Sequence, residues 1–175
     1  TDAVRHLNAC PKPTIALVHG GCFGGGLGVM AACDITIASE EAIFSITEVR
    51  WGLVAGPILP QLVDAMGLHA VRRYALTAER FTATQARDFG MVHEMCATGQ
   101  LDQAAAPVIE ALLKCSPSAI AETKALILDM AAHQISDDEV SDVAGEHAAR
   151  RQTRDAIEGM RSFNEKRQAS WYPEN

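Results

Sequence analysis

The stretch Lys12-Pro13-Thr14-Ile15-Ala16-Leu17-Val18-His19-Gly20-Gly21-Cys22-Phe23-Gly24-Gly25-Gly26 decides the fold class. Thr14 to Val18 is short, almost wholly apolar and contains β-branched residues, which predicts a buried strand. Pro13 sets its start and Gly20-Gly21 its end. The glycine-dense turn then runs into Leu27 to Cys33, a small-residue segment that reads as a tightly packed helix. Asp34 to Ala38 and Ala42 to Ser45 read as a second and a third strand. Strand, turn, helix, strand, strand is an α/β pattern.

Working outward, the character changes after Gly52. Leu59 to Met66 and Leu68 to Ala78 have helical spacing and are separated by Gly67. Thr82-Ala83-Thr84-Gln85 opens another helix with Thr82 or Thr84 as N-cap. Gly90 closes it, and Met91 to Glu94 reads as a last short strand. Leu101 to Lys114 is a helix, and Ser116-Pro117 starts one running to about His133. Ser136 to Glu139 carries a capping pattern for a third, and Arg154 to Gln168 forms the last. The organisation expected is an α/β core over residues 1–115 and a helical region over 116–175, without repeats.

Composition excludes several function classes. The net charge of −7 opposes a nucleic-acid binder, which needs a basic face. Arg150-Arg151-Gln152-Thr153-Arg154 reads as a solvated helix face. No run reaches the roughly 18 apolar residues of a membrane span. The five cysteines, Cys10, Cys22, Cys33, Cys96 and Cys115, are odd in number and form no CxxC pair. They point to free thiols in a reducing compartment, and a cytoplasmic location is expected. The six histidines lack metal-site spacing, so no metal is expected. Thr1 to His6 lacks a charged-then-apolar layout, so no signal peptide is expected. Val4 to Cys10 reads as the end of a helix, which suggests a piece of a longer chain.

Chemistry concentrates between Gly24 and Glu48. Glycines between a strand and a helix let the backbone approach a ligand and turn N–H groups outward. That suits a developing negative oxygen; a plain tight turn fits the same residues. It is neither the dinucleotide fingerprint nor a P-loop. Glu48 follows the third strand among apolar Ile46, Val49 and Trp51. Such a carboxylate would have a raised pKa and could carry protons near neutral pH. A surface or Arg50-paired glutamate is the plainer alternative.

Lys12-Pro13, the apolar strand, His19-Gly20, Gly24-Gly25-Gly26 and Cys33-Asp34 together resemble the crotonase (enoyl-CoA hydratase/isomerase) signature. The likeness extends through Phe44 to Gly52, Ala75 to Phe81, Ala86 to Val92 and Glu158 to Arg167. It implies a crotonase-like ββα spiral core, whose N-terminal part lies before Lys12, and C-terminal helices that mediate oligomerisation as a trimer or dimer of trimers. It implies an acyl-CoA substrate and no further cofactor. Gly25 matches the glycine whose N–H binds the thioester oxygen, and Glu48 one of two catalytic glutamates. The other glutamate falls at Gly28 and is missing. The usual Pro-Gly-x-Gly-Gly is replaced by Ala55-Gly56-Pro57-Ile58-Leu59-Pro60. Cys22, Phe23, Gly24, Gly26, Trp51 and Gly56 are expected around the acyl group. Phe163 and Lys166 match positions near the CoA adenine and phosphates, reached from a neighbouring subunit.

The departures resemble single-glutamate hydratases of branched or glutaconyl-type acyl-CoA, and more weakly feruloyl-CoA hydratase-lyases. The expected activity is hydration of an α,β-unsaturated acyl-CoA through an oxyanion-stabilised enolate, in acyl-CoA or fatty acid catabolism. A double-bond isomerase, a hydratase-lyase and a non-catalytic CoA-binding paralogue are the alternatives. Cys22 also reads as a structural thiol, Trp51 as core, and Lys166 as an exposed lysine.

Overall fold

A computed structural model describes residues 2–113, 115, 117–132, 148–149, 151–167 and 169–170. After a short helix α1 (Asp2–Asn8), the core builds from β1 (Ile15–Val18), β2 (Gly21–Phe23), α2 (Gly25–Ala31), β3 (Ile35–Ser39) and β4 (Ile43–Ser45). Then come α3 (Leu59–Thr77), β5 (Phe81–Thr82), α4 (Ala83–Asp88) and β6 (Glu94–Cys96). The helices α5 (Leu101–Leu113), α6 (Pro117–Ala132) and α7 (Arg154–Asn164) follow. The capping pattern at Ser136 to Glu139 lies outside the described residues.

The strands form two three-stranded sheets, ordered β1-β3-β6 and β2-β4-β5. β1 pairs parallel with β3, and β2 pairs parallel with β4. Successive strands thus go to different sheets and pair in parallel with the next pair of strands, which fits the ββα spiral that the resemblance implies. β2 is an addition to the strands read from sequence. Its three residues look like turn, and only its pairing with β4 makes them strand.

In the core, the burial of β1 and the place of the last strand differ from expectation. β1 is not fully buried: Leu17 is 39% exposed and only Val18 is in the core. β1 is the edge of its sheet among the described residues, so one side lacks a neighbour. The last strand is Glu94–Cys96 and not Met91 to Glu94. The N–H groups of Met91 and Val92 donate to Ala86 O at the end of α4 (3.0 and 3.2 Å). Their apolar character serves the core beneath that helix.

Local signals held elsewhere. Gly67 (φ 76°, ψ 150°) breaks α3 into two packed segments. Thr82 is the N-cap of α4: its side chain accepts from Gln85 N–H, and Gln85 Oε1 accepts from Thr82 N–H. α7 stops at Asn164, earlier than the expected Gln168, because Lys166 turns left-handed (φ 53°) and Arg167 N–H donates back to Ser162 O (3.1 Å).

The core is aromatic at its centre. Phe44 stacks on Phe81 (5.6 Å), and Tyr74 meets both Phe81 (4.6 Å) and Phe89 (5.3 Å). Asp34 ties the first sheet to the helices. Its Oδ2 accepts from Thr14 N–H (2.7 Å), Thr14 Oγ1 (2.8 Å) and Lys124 Nζ (2.8 Å), and Lys124 is 8% exposed. Among the described residues no helix is long and apolar enough to cross a membrane.

Candidate functional site

Parallel pairing brings the site together. Gly21, Cys22 and Phe23 stand opposite Ile43, Phe44 and Ser45. The residues that follow therefore leave the same end of the sheet side by side, at the C-terminal edge where α/β folds place ligands. Gly24 N–H donates to Ser45 O (3.0 Å), which pins the glycine turn to the end of β4. Gly24 has φ 51° and ψ −123°, a conformation glycine enters without strain. Its carbonyl accepts from Leu27 N–H (2.9 Å) and Gly28 N–H (3.3 Å), which starts α2.

Gly25 and Gly26 are the first two residues of α2, so their N–H groups have no acceptor within the helix. Both are exposed, and a Cβ on either would meet nothing within 4 Å. These glycines border open space into which their backbone can present donors. Gly24 differs. A Cβ there would lie 3.1 Å from Thr47 Oγ1 and 3.2 Å from Glu48 Oε1. The Glu48 carboxylate therefore lies directly over the turn. Glu48 begins the 3-10 turn Glu48–Trp51, which Gly52 ends in the left-handed region (φ 68°). A helix-start N–H at Gly25 and a carboxylate held over the adjoining Gly24 are the two groups needed to hold an oxyanion and move a proton beside it.

The position expected to carry a second glutamate is closed. A Cβ on Gly28 would lie 2.1 Å from Ile58 Cγ2 and 2.6 Å from Ile58 Cβ. Gly28 and Ile58 are both buried. The two departures read from sequence, glycine at 28 and isoleucine at 58, are thus one interlock. The side chain of Ile58 fills the room beside Gly28. Gly56 opens the same short turn, Gly56–Ile58, and is buried with it.

Two spaces flank the turn. On one side an open groove of about 670 Å³ runs along β1 and α2, with Leu17, Cys22, Phe23, Gly26 and Val29 in its lining. Burial pushes the Cys22 thiol up to about 11, so at neutral pH it is a protonated lining group and not a nucleophile. On the other side a cavity of about 290 Å³ is lined by Phe23, Thr47, Arg50, Trp51, Arg80 and Phe163, with Ser45 and Ala78. Trp51 meets Phe163 edge-on at 5.3 Å. A Cβ on Gly159 would sit 2.0 Å from Trp51 O, so α7 rests on the turn that carries Glu48.

The structure thus gathers Gly24, Gly25, Gly26 and Glu48, with Cys22 and Phe23 on one flank and Trp51 and Phe163 on the other. Phe163 packs on its own chain. Lys166, past the end of α7, is exposed and lines neither space. Sequence reasoning missed Thr47, Arg80 and the partnership of Gly28 with Ile58. Arg80 stands in the recognised Ala75 to Phe81 stretch, but nothing local marks it. Among the described residues no three His, Cys, Asp or Glu side chains converge as a metal site.

Comparison with known proteins gives the family. The family described as enoyl-CoA hydratase/isomerase matches residues 1–174. A peroxisomal Delta(3,5)-Delta(2,4)-dienoyl-CoA isomerase of Arabidopsis thaliana is 38% identical over 128 residues, 72% of this chain and 46% of that protein. A hydroxycinnamoyl-CoA hydratase-lyase of Pseudomonas fluorescens is 33% identical over 119 residues, 67% of this chain and 43% of that protein. The crystal structure of an enoyl-CoA hydratase from Shewanella pealeana superposes with a TM-score of 0.71 at 41% identity, covering 96% of this chain and 63% of that one. The chain spans somewhat under half the length of those two curated relatives. It belongs to the enoyl-CoA hydratase/isomerase family.

Proposed function

We propose that this chain carries the catalytic turn of an enzyme that hydrates an α,β-unsaturated acyl-CoA. The carrying observation is the Glu48 carboxylate lying over Gly24, next in the chain to Gly25, whose N–H at the first position of α2 has no acceptor within the helix. The thioester oxygen accepts from Gly25 N–H. Glu48 takes a proton from water as its oxygen bonds to Cβ. The C=C electron pair moves onto the thioester oxygen, which the N–H stabilises. Glu48 then returns the proton to Cα, so one water is added across the bond.

With position 28 closed by Ile58, Glu48 performs both proton steps. Glu48→Gln keeps the shape and removes the base. In the full-length protein it is expected to lower kcat by about 10²–10⁴ with KM little changed. Unchanged turnover on the best enoyl-CoA would remove Glu48 from the mechanism. The Gly28–Ile58 interlock also favours a second reading, double-bond isomerisation, because one carboxylate suffices to move a proton between two carbons. Product mass separates them, since an isomerase adds no water.

Exposed Leu113, Leu126 and Ile127 on α5 and α6 support assembly into a homotrimer or dimer of trimers. The scattered free thiols support a reducing compartment such as the cytoplasm.

A further inference from the structure

The helix α7 seats on the turn that carries Glu48, although none of its residues takes part in the proton steps. The contact is made on main-chain atoms. A Cβ on Gly159 would lie 2.0 Å from Trp51 O, 2.3 Å from Trp51 C and 2.6 Å from Trp51 Cα. Only glycine admits this approach, because no side-chain rotation can move backbone atoms out of the way. Ala156 and Ser162 are buried one turn to either side of Gly159, with Ser162 Oγ donating to Gly159 O inside the helix (2.8 Å). The same helix brings Phe163 edge-on to the Trp51 ring at 5.3 Å.

Trp51 and Glu48 are the two ends of one 3-10 turn. Arg50 N–H donates to Thr47 O (3.0 Å), Gly52 N–H to Val49 O (3.3 Å) and Leu53 N–H to Glu48 O (3.1 Å). A turn closed by these bonds moves as one piece, so a push at Trp51 O reaches Glu48. The helix behind it is itself fixed. Thr153 Oγ1 caps its start by accepting from Ala156 N–H (3.3 Å). Past its end, Arg167 folds back onto Glu158 with two hydrogen bonds (2.6 and 2.9 Å), and Glu158 Oε1 also accepts from Ser170 N–H (2.9 Å). Glu48 is therefore placed over Gly24 by two distant parts of the chain, the strand β4 that it follows and the helix α7 that backs its turn.

We propose that Gly159 is a positioning residue for Glu48: the close seating of α7 on Trp51 sets the reach of the carboxylate over the glycine turn. This rests on the reading of Glu48 as the proton carrier. Gly159→Ala adds one methyl group to a space where its nearest neighbour would be 2.0 Å away, against about 3.3 Å or more for an ordinary carbon–oxygen contact, so α7 and the turn must part by about 1 Å. A displacement of that size at a catalytic group costs up to about 10²-fold in rate. In the full-length protein, kcat on the best enoyl-CoA ester is expected to fall by about 10- to 10²-fold with KM within about twofold, because the Gly25 N–H is untouched. Thr153→Ala weakens α7 at its cap without entering the contact. It should lower the melting temperature and leave kcat within about twofold.

Pairing with Glu48→Gln separates positioning from a general structural loss. A residue that acts through Glu48 has nothing left to act on once the base is gone, so Gly159→Ala should take no further kcat from Glu48→Gln. Partial misfolding would lower both backgrounds by the same factor. Equal loss in both backgrounds, or an unchanged kcat in folded Gly159→Ala, overturns the positioning role and leaves Glu48 as the proton carrier. Unchanged turnover in Glu48→Gln alone overturns the reading of Glu48 and the positioning role with it. Circular dichroism below the melting transition shows whether each variant is folded. Should Gly159→Ala not fold, Phe163→Leu removes the aromatic edge on Trp51 without a clash, and its loss in kcat must likewise vanish in the Glu48→Gln background; a loss that persists there overturns the proposal.

Discussion

Gly28→Ala tests the interlock behind the single-carboxylate site. The new Cβ would stand 2.1 Å from Ile58 Cγ2 and 2.6 Å from Ile58 Cβ, where carbon atoms rest at about 3.5 Å or more. Rotating the Ile58 side chain can move Cγ2 but not Cβ, so α2 and the Gly56–Ile58 turn must separate by about 1 Å. Overpacking of this kind costs about 1–3 kcal/mol. Alanine returns about 1 kcal/mol of helix propensity. The Cβ–Cβ overlap lies in the backbone spacing, so the upper part of the range applies and the net loss is expected at about 2 kcal/mol. At roughly 2–4 °C per kcal/mol for a chain of this size, thermal unfolding should fall by about 4–8 °C. The second substitutions discriminate. Ile58→Ala removes the Cγ2 contact and leaves the Cβ contact, whereas Ile58→Gly removes both. In double-variant cycles Ile58→Gly should therefore show the larger favourable coupling with Gly28→Ala, by about 1 kcal/mol or more. A wild-type melting temperature for Gly28→Ala, or equal coupling to both, would refute the reasoning. Gly28→Glu should meet the same obstacle, and only its combination with Ile58→Gly should admit a second carboxylate.

Asp34→Ala strips the buried Lys124 ammonium of its carboxylate and Thr14 of its acceptor. Only the Lys124 side of the pair is buried, the Asp34 side chain being 30% exposed, and Lys12 O remains as an acceptor at 3.4 Å, so the expected loss is about 1–3 kcal/mol, read by denaturant unfolding. Glu158 is held down to about 2, first by its bidentate hydrogen bonds from Arg167 (2.6 and 2.9 Å) and then by Ser170 N–H. Its folded pKa lies below the ordinary 4.5, so its contribution is present above that value and lost as pH falls from 4.5 toward 2. The melting-temperature gap between wild type and Glu158→Gln should be constant near neutrality and close over that window. A gap unchanged down to pH 2 would contradict the assignment.

Much of the core was legible because its signals are local. Thr14 to Val18 had to be a strand, Gly67 had to interrupt a helix, and Thr82 with Gln85 had to cap one. Each outcome depends on residues within a turn of one another. Met91 and Val92 misled for the converse reason. An apolar pair satisfies a strand or a core beneath a helix equally well, and their N–H bonds to Ala86 decided it. The site was legible in part. Gly24 to Gly26 and Glu48 could be named, yet nothing local said that a carboxylate 24 residues further on rests over Gly24.

What the sequence determined alone is the α/β pattern, the glycine turn between strand and helix, and the presence of one glutamate with glycine at position 28. These follow from periodicity and from what glycine permits the backbone. What only the tertiary structure decided is every relation between distant segments. The parallel register of β2 with β4 carries Gly24 and Glu48 to the same sheet end. Ile58 fills the space beside Gly28. Arg50 and Arg80, 30 residues apart, line one cavity. The reason is physical: propensity acts over a few residues, whereas strand register and core packing set which far-separated side chains share a volume.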